Sequence, residues 1–137
     1  MAIASVEPVT AEIRLANEAG AARLVRRFVA RQLGSLPFCA PHIVDVAELL
    51  ASELVTNVVR HTDTSVMVVS LSLHASTLRL AVQDDSRQRP TRRAVNDDDE
   101  GGRGLLLIEL LATDWGVEDI ADGGKAVWTL LEMGEVP

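Results

Sequence analysis

Residues 64–84 carry the pattern that most limits the fold. Met67, Val69, Leu71 and Leu73 alternate on one face of residues 64–74, and Leu78, Leu80 and Val82 do the same over residues 77–84. Only Ala75 and Ser76 separate the two runs, so they predict adjacent strands of a sheet. The same arrangement returns near the end, where residues 115–119 and 125–132 flank the turn Asp122-Gly123-Gly124. Residues 9–15 supply a first strand. Three helices are expected. Residues 18–33 follow an N-cap at Asn17 and end at Gly34, with Ala21, Val25, Phe28, Val29 and Leu33 on one face. Residues 41–61 open on Pro41, which suits a first helical turn, and residues 105–112 form the third. The order is strand, helix, helix, strand, strand, long polar connection, helix, strand, strand. It predicts an α+β two-layer sandwich, with a mixed, largely antiparallel sheet and its helices on one face. It excludes a doubly wound dinucleotide fold.

The length of 137 residues suits one domain with a real core. No internal repeat or interdomain linker is visible. A net charge of −7, with Phe28, Phe38, Trp115 and Trp128 as the only aromatic residues, argues against a nucleic-acid partner. Cys39 cannot form an internal disulfide, and the sequence shows neither a signal peptide nor an apolar run of ~18 residues. A cytoplasmic protein without a membrane segment is therefore expected. Cys39 itself, beside Pro37, Phe38 and Pro41, reads as a small apolar residue. His42, His61 and His74 are too scattered for a zinc site, and there is no P-loop and no G-x-S-x-G elbow.

Three segments combine into one chemistry. Glu53 and Asn57 lie one helical turn apart; Asn57 falls inside the apolar stripe of Ile43, Val46, Ala47, Leu50, Leu54 and Val58, with Glu53 at its edge and His61 continuing the line. Burying an amide and a carboxylate without partners costs several kcal/mol, so protein groups or a ligand and metal must satisfy them. An amide oxygen can ligate a hard cation such as Mg²⁺, and a carboxylate one turn earlier can take a proton from an attacking hydroxyl. The plain alternative has Glu53 at a helix edge and Asn57 bonded to a loop backbone. Period two places Asp84 on the inward face of its strand, where an acid needs a waiting donor; capping the next turn is the alternative. Gly101, Gly102 and Gly104 open a helix, where backbone N–H groups and the helix dipole favour phosphate. Arg103 faces either phosphate or solvent.

Taken together, Glu53-Leu54-Val55-Thr56-Asn57, Val82-Gln83-Asp84-Asp85-Ser86 and Gly101-Gly102-Arg103-Gly104-Leu105, with Trp115-Gly116-Val117 beyond, resemble the GHKL superfamily of ATP-binding domains. That superfamily includes gyrase-type ATPases, MutL proteins and histidine kinases. The chain looks most like the small bacterial anti-sigma-factor serine kinases of actinobacterial type. The resemblance covers residues 9–132 and implies a Bergerat-type ATP-binding fold, with residues 1–8 a flexible N-terminus, a lid over about 85–103, and a tail at 133–137. It implies ATP and Mg²⁺ as cofactors, Glu53 as catalytic base and Asn57 as metal ligand. Asp84 would accept from the adenine amine, and His61, Ser86, Gly102, Arg103, Gly104 and Leu105 would complete the nucleotide site. The implied activity is a protein serine kinase acting on an anti-sigma-factor antagonist, with a sigma factor as second partner.

The chain also departs from the superfamily pattern. Ser86 and Gln88 stand where glycines are usual, and Ala126 where a hydroxyl residue often lies near the adenine. A second function class therefore stays open: a non-catalytic GHKL module that regulates by contact, with or without ATP. A piece of a larger GHKL ATPase machine is the third. Arg23, Arg27 and Arg31 repeat every four residues on the first helix, either as a solvated face or as a stripe for an acidic partner. The resemblance implies that surfaces near this helix serve partner contact or self-association as a homodimer.

Overall fold

The computed structural model describes residues 9–36, 39–86, 100–121 and 123–133. The expected flexible N-terminus, most of the expected lid and residues 134–137 of the tail lie outside them. The chain runs β1 (Val9–Ala16), α1 (Ala21–Gly34), α2 (Pro41–His61), β2 (Val66–His74), β3 (Thr77–Asp84), α3 (Glu100–Leu111), β4 (Asp114–Asp119) and β5 (Lys125–Glu132). The strands form one sheet in the order β1-β2-β3-β5-β4, and every neighbouring pair is antiparallel. The sheet is thus simpler than the mixed one expected.

The period-two rows point where the sequence places them. Met67, Val69, Leu71 and Leu73 of β2 and Leu78, Leu80 and Val82 of β3 are all buried. They share one core cluster with Val25, Val29 and Leu33 of α1 and Leu50, Leu54 and Val58 of α2. Each such side chain contributes about 1.5–3 kcal/mol relative to exposure, so the helical layer and the sheet hold each other in place. Two residues suffice to turn β2 into β3 because Ala75 accepts a left-handed φ of 54°.

Three details depart from expectation. Asn17 is not the N-cap of α1; the helix begins at Ala21, after Gly20. The Asn17 amide Nδ2 donates instead to the carbonyls of Thr62 at 3.3 Å and Thr64 at 2.7 Å, tying the β1–α1 turn to the end of α2. The third helix starts at Glu100 rather than 105, so Gly101, Gly102 and Gly104 lie in its first turns. Glycine costs a helix only about 1 kcal/mol per residue, and an acid at the start complements the helix dipole. The expected sheet mixture is absent, since no two neighbouring strands of the order β1-β2-β3-β5-β4 run parallel.

Cys39 is half-buried, and burial pushes its thiol up, so it is a poor source of thiolate. Among the described residues no helix is long and apolar enough to cross a membrane.

Candidate functional site

α2 runs over the ends of β3 and β5, and the site forms where these three elements meet. The register opposes Asp84 to Lys125 and Val82 to Val127, so all four side chains share the face turned toward the helices. Leu54 and Val58 of α2 and Val127 of β5 wall a small cavity of about 20 Å³, enough for about one water. Asn57, His61, Asp84 and Lys125 supply its polar lining. Two of the three sequence segments therefore converge: the helix segment through Asn57 and His61, the strand segment through Asp84.

The donor that an inward acid requires is Lys125. Its Nζ donates to Asp84 Oδ1 at 2.9 Å and Oδ2 at 3.0 Å, and both residues are buried. The Ser86 N–H donates to Asp84 Oδ1 at 2.8 Å, and the Ser86 carbonyl accepts from Lys125 Nζ at 3.4 Å. Sequence reasoning missed Lys125 and compared Ala126 instead. Strand parity decides between them: Ala126 pairs with Gln83 on the opposite face, away from the cavity. The signal lies in the strand pairing: once β3 is set beside β5, a buried acid at the end of β3 calls for a cation at the opposing position.

Neighbouring groups fix this corner. Thr64, itself buried, accepts from the Asp85 N–H at 3.3 Å and donates to the Val66 carbonyl at 3.1 Å. Thr62, at the cavity rim, closes α2 by donating both N–H and Oγ1 to the Val58 carbonyl. Gly124 permits the closest approach: a Cβ there would lie 2.1 Å from the Asp84 carbonyl oxygen and 3.0 Å from the Asp85 Cα. Backbone cannot yield as a flexible side chain would. Gly124→Ala is therefore expected to destabilise the protein by about 1–3 kcal/mol, the usual cost of overpacking. Urea denaturation measures it, and an unchanged midpoint would show that this corner relaxes freely.

Glu53 lies one turn before Asn57, half-buried, and does not line the cavity. Burial raises its carboxyl above the ordinary range, and the positive charge of Arg60 offsets part of that rise. A raised carboxyl is a stronger proton acceptor once ionised. The Asn57 Oδ1 is buried and has no hydrogen-bond partner among the described residues. Such an orphaned, neutral, hard oxygen fits a Mg²⁺ ligand. Among the described residues no three His, Cys, Asp or Glu side chains form a metal-holding group.

Gly102, Arg103, Gly104 and Leu105 lie in the first half of α3, which packs against α2. Their side chains fall outside the described residues. Counted from Glu100, Gly102 falls among the first N–H groups, which lack intrahelical partners and carry the positive end of the dipole, whereas those of Gly104 and Leu105 lie far enough along to bond within the helix.

An open antiparallel sheet covered on one face by helices, with a polar-floored cavity under the long second helix, defines a two-layer α+β sandwich. The model of the histidine kinase-like ATPase domain matches residues 15–130, and the chain belongs to that family. Among solved structures, the chain is similar to the RsbU and RsbW domains of Rv1364c from Mycobacterium tuberculosis, with a TM-score of 0.68 and 20% identity. That match covers 91% of this chain and 32% of the other, and at this identity it is a likeness of fold. No curated protein matches the sequence.

Proposed function

We propose that the chain is an ATP- and Mg²⁺-dependent protein serine kinase of the anti-sigma-factor type, which phosphorylates a serine of an anti-sigma-factor antagonist and also engages a sigma factor. The observation that carries this reading is the meeting of Asn57 and Asp84, from separate segments, at one cavity where the Asn57 Oδ1 is buried and has no partner among the described residues. In this reading Asp84 accepts from the adenine amine, with His61 and Ser86 beside the base. Asn57 holds Mg²⁺, and the free N–H groups at the start of α3, that of Gly102 among them, receive the phosphates together with Arg103. Bound Mg²⁺ would neutralise charge developing on the phosphate oxygens during transfer. Glu53 takes the proton of the attacking serine hydroxyl. Incubation with γ-labelled ATP, Mg²⁺ and the antagonist encoded in the same cell tests this directly. Label on a substrate serine is the expected result; nucleotide binding without label would sink the kinase reading.

One observation favours a second reading, a regulatory module that acts by contact alone. The Asp84 carboxylate that would receive the adenine amine is already engaged by Lys125. Under either reading the protein must meet a partner, and α1 offers a surface. Arg23, Arg27 and Arg31 are exposed on it, and no acidic residue occurs within the helix. Arg27→Glu is expected to leave nucleotide binding unchanged and to weaken association with an acidic partner, by a margin that shrinks at high salt. Partner affinity measured at low and high ionic strength checks it; affinity equal to the wild type at both would leave the stripe as a solvated face.

A further inference from the structure

The base-reading acid is closed off by the protein itself. The Asp84 side chain is 0% exposed and that of Lys125 only 4%. The Lys125 ammonium spends its donors on both Asp84 oxygens and on the Ser86 carbonyl. The cavity beside the pair, at about 20 Å³, has room for about one water and not for a purine ring. A base amine cannot reach Asp84 while this arrangement stands.

We propose that Lys125 is an internal competitor for the purine: its ammonium occupies the place of an exocyclic amine on Asp84, and a base enters only when that ammonium swings out of the cavity. The inference rests on the nucleotide-binding reading above and adds a determinant of affinity and base selectivity to it. The lysine stem is unbranched and flexible, so its head can leave without movement of β5. The exchange trades a charged donor for a neutral one, which makes it unfavourable unless the rest of the nucleotide contributes contacts. Stacking between the walls of Leu54, Val58 and Val127, together with phosphate and Mg²⁺ contacts, supplies them. The nucleotide selected is one with an amino group at the reading position, since a carbonyl oxygen would meet the bared carboxylate acceptor to acceptor. An apparent affinity limited by such an opening is lower than the intrinsic one by the open fraction. With the open form a minor state of at most ~10%, that reduction is at least ~tenfold.

The test is calorimetric titration of the wild type and Lys125→Met with Mg²⁺-ATP and Mg²⁺-GTP, joined to ¹⁵N NMR of the lysine ammonium in the wild type. Lys125→Met keeps the stem and removes the competitor. It is expected to bind ATP at least ~tenfold more tightly than the wild type. The protected Lys125 ammonium signal of the free wild type is expected to vanish at ATP saturation. Equal or weaker binding by the variant would overturn the competitor role while leaving the nucleotide reading intact. So would an ammonium signal that persists in the saturated complex, or tighter binding of GTP than ATP by the wild type, because each shows the lysine staying in place. If neither protein binds any nucleotide, the nucleotide reading itself falls and takes the inference with it. The NMR measurement needs no variant, and Lys125→Thr serves as a second substitution if Lys125→Met does not fold.

Discussion

Asp84→Ala is expected to cost about 3–5 kcal/mol of folding stability, the usual penalty for removing one partner of a buried ion pair. Total stabilities of domains lie near 5–15 kcal/mol, so this single change would leave the protein close to unfolding. The cause is the group left behind. Lys125, 3% exposed, would keep an ammonium in the interior with, among the described residues, only the Ser86 carbonyl at 3.4 Å as an acceptor. The bond from the Ser86 N–H to Asp84 Oδ1 would be lost as well. Lys125→Met added to Asp84→Ala is expected to restore much of the loss, because replacing both charges by apolar groups is often nearly neutral. Asp84→Asn, which preserves shape, separates fold from recognition. It retains more stability than Asp84→Ala but presents an NH₂ where the purine amine would need an acceptor, so ATP binding is expected to fall sharply. Urea denaturation of the three variants and calorimetry with ATP measure these outcomes. A loss below about 1 kcal/mol for Asp84→Ala would mean that the pair is solvated in solution. Undiminished ATP affinity in Asp84→Asn would remove Asp84 from the base site.

The contrast between Asp84 and Lys125 shows what a sequence discloses and what it conceals. Period two in residues 77–84 puts Asp84 on the buried face without reference to any other part of the chain, and the fold agrees. Helical spacing likewise puts Asn57 in the apolar stripe of α2, and its Oδ1 is buried. Both are local facts. The role of Lys125 is not local. A lysine at the start of a strand is usually solvated, and only the pairing of β3 with β5 sets it opposite Asp84. The need for Gly124 has the same origin: nothing within the Asp122-Gly123-Gly124 turn foretells the carbonyl of Asp84 pressing against it. Asn17 was misjudged because a favoured capping residue found better acceptors across the fold, at Thr62 and Thr64. The start of the third helix was misjudged because glycines read as loop when taken singly, though helix formation is cooperative and α3 extends through them to Glu100.

Glu53→Gln is expected to separate binding from chemistry. The amide preserves size and hydrogen-bonding capacity, so ATP affinity should stay within about threefold of the wild type, as for a group acting only in the transition state. Phosphoryl transfer to the substrate serine should fall by ~10²-fold or more, the scale of a lost general base. The wild-type pH dependence carries the same assignment. Burial raises the Glu53 carboxyl above its ordinary value, against the opposing charge of Arg60. As pH falls, Glu53 therefore takes up its proton earlier than a free glutamate, whose pKa is about 4.3, and the acid limb of the transfer rate should lie above that value. The sign for stability is fixed by the same shift. Between the ordinary and the raised value the folded form binds more protons than the unfolded one, so this group lowers stability as pH rises through that window. Above it the charge remains partly desolvated, and Glu53→Gln should be slightly more stable than the wild type at neutral pH. Single-turnover transfer followed from neutral pH down through the acid limb, with denaturation at the same pH values, tests both. Full transfer activity in Glu53→Gln, or an acid limb that survives the substitution unchanged, would assign the proton to another acceptor.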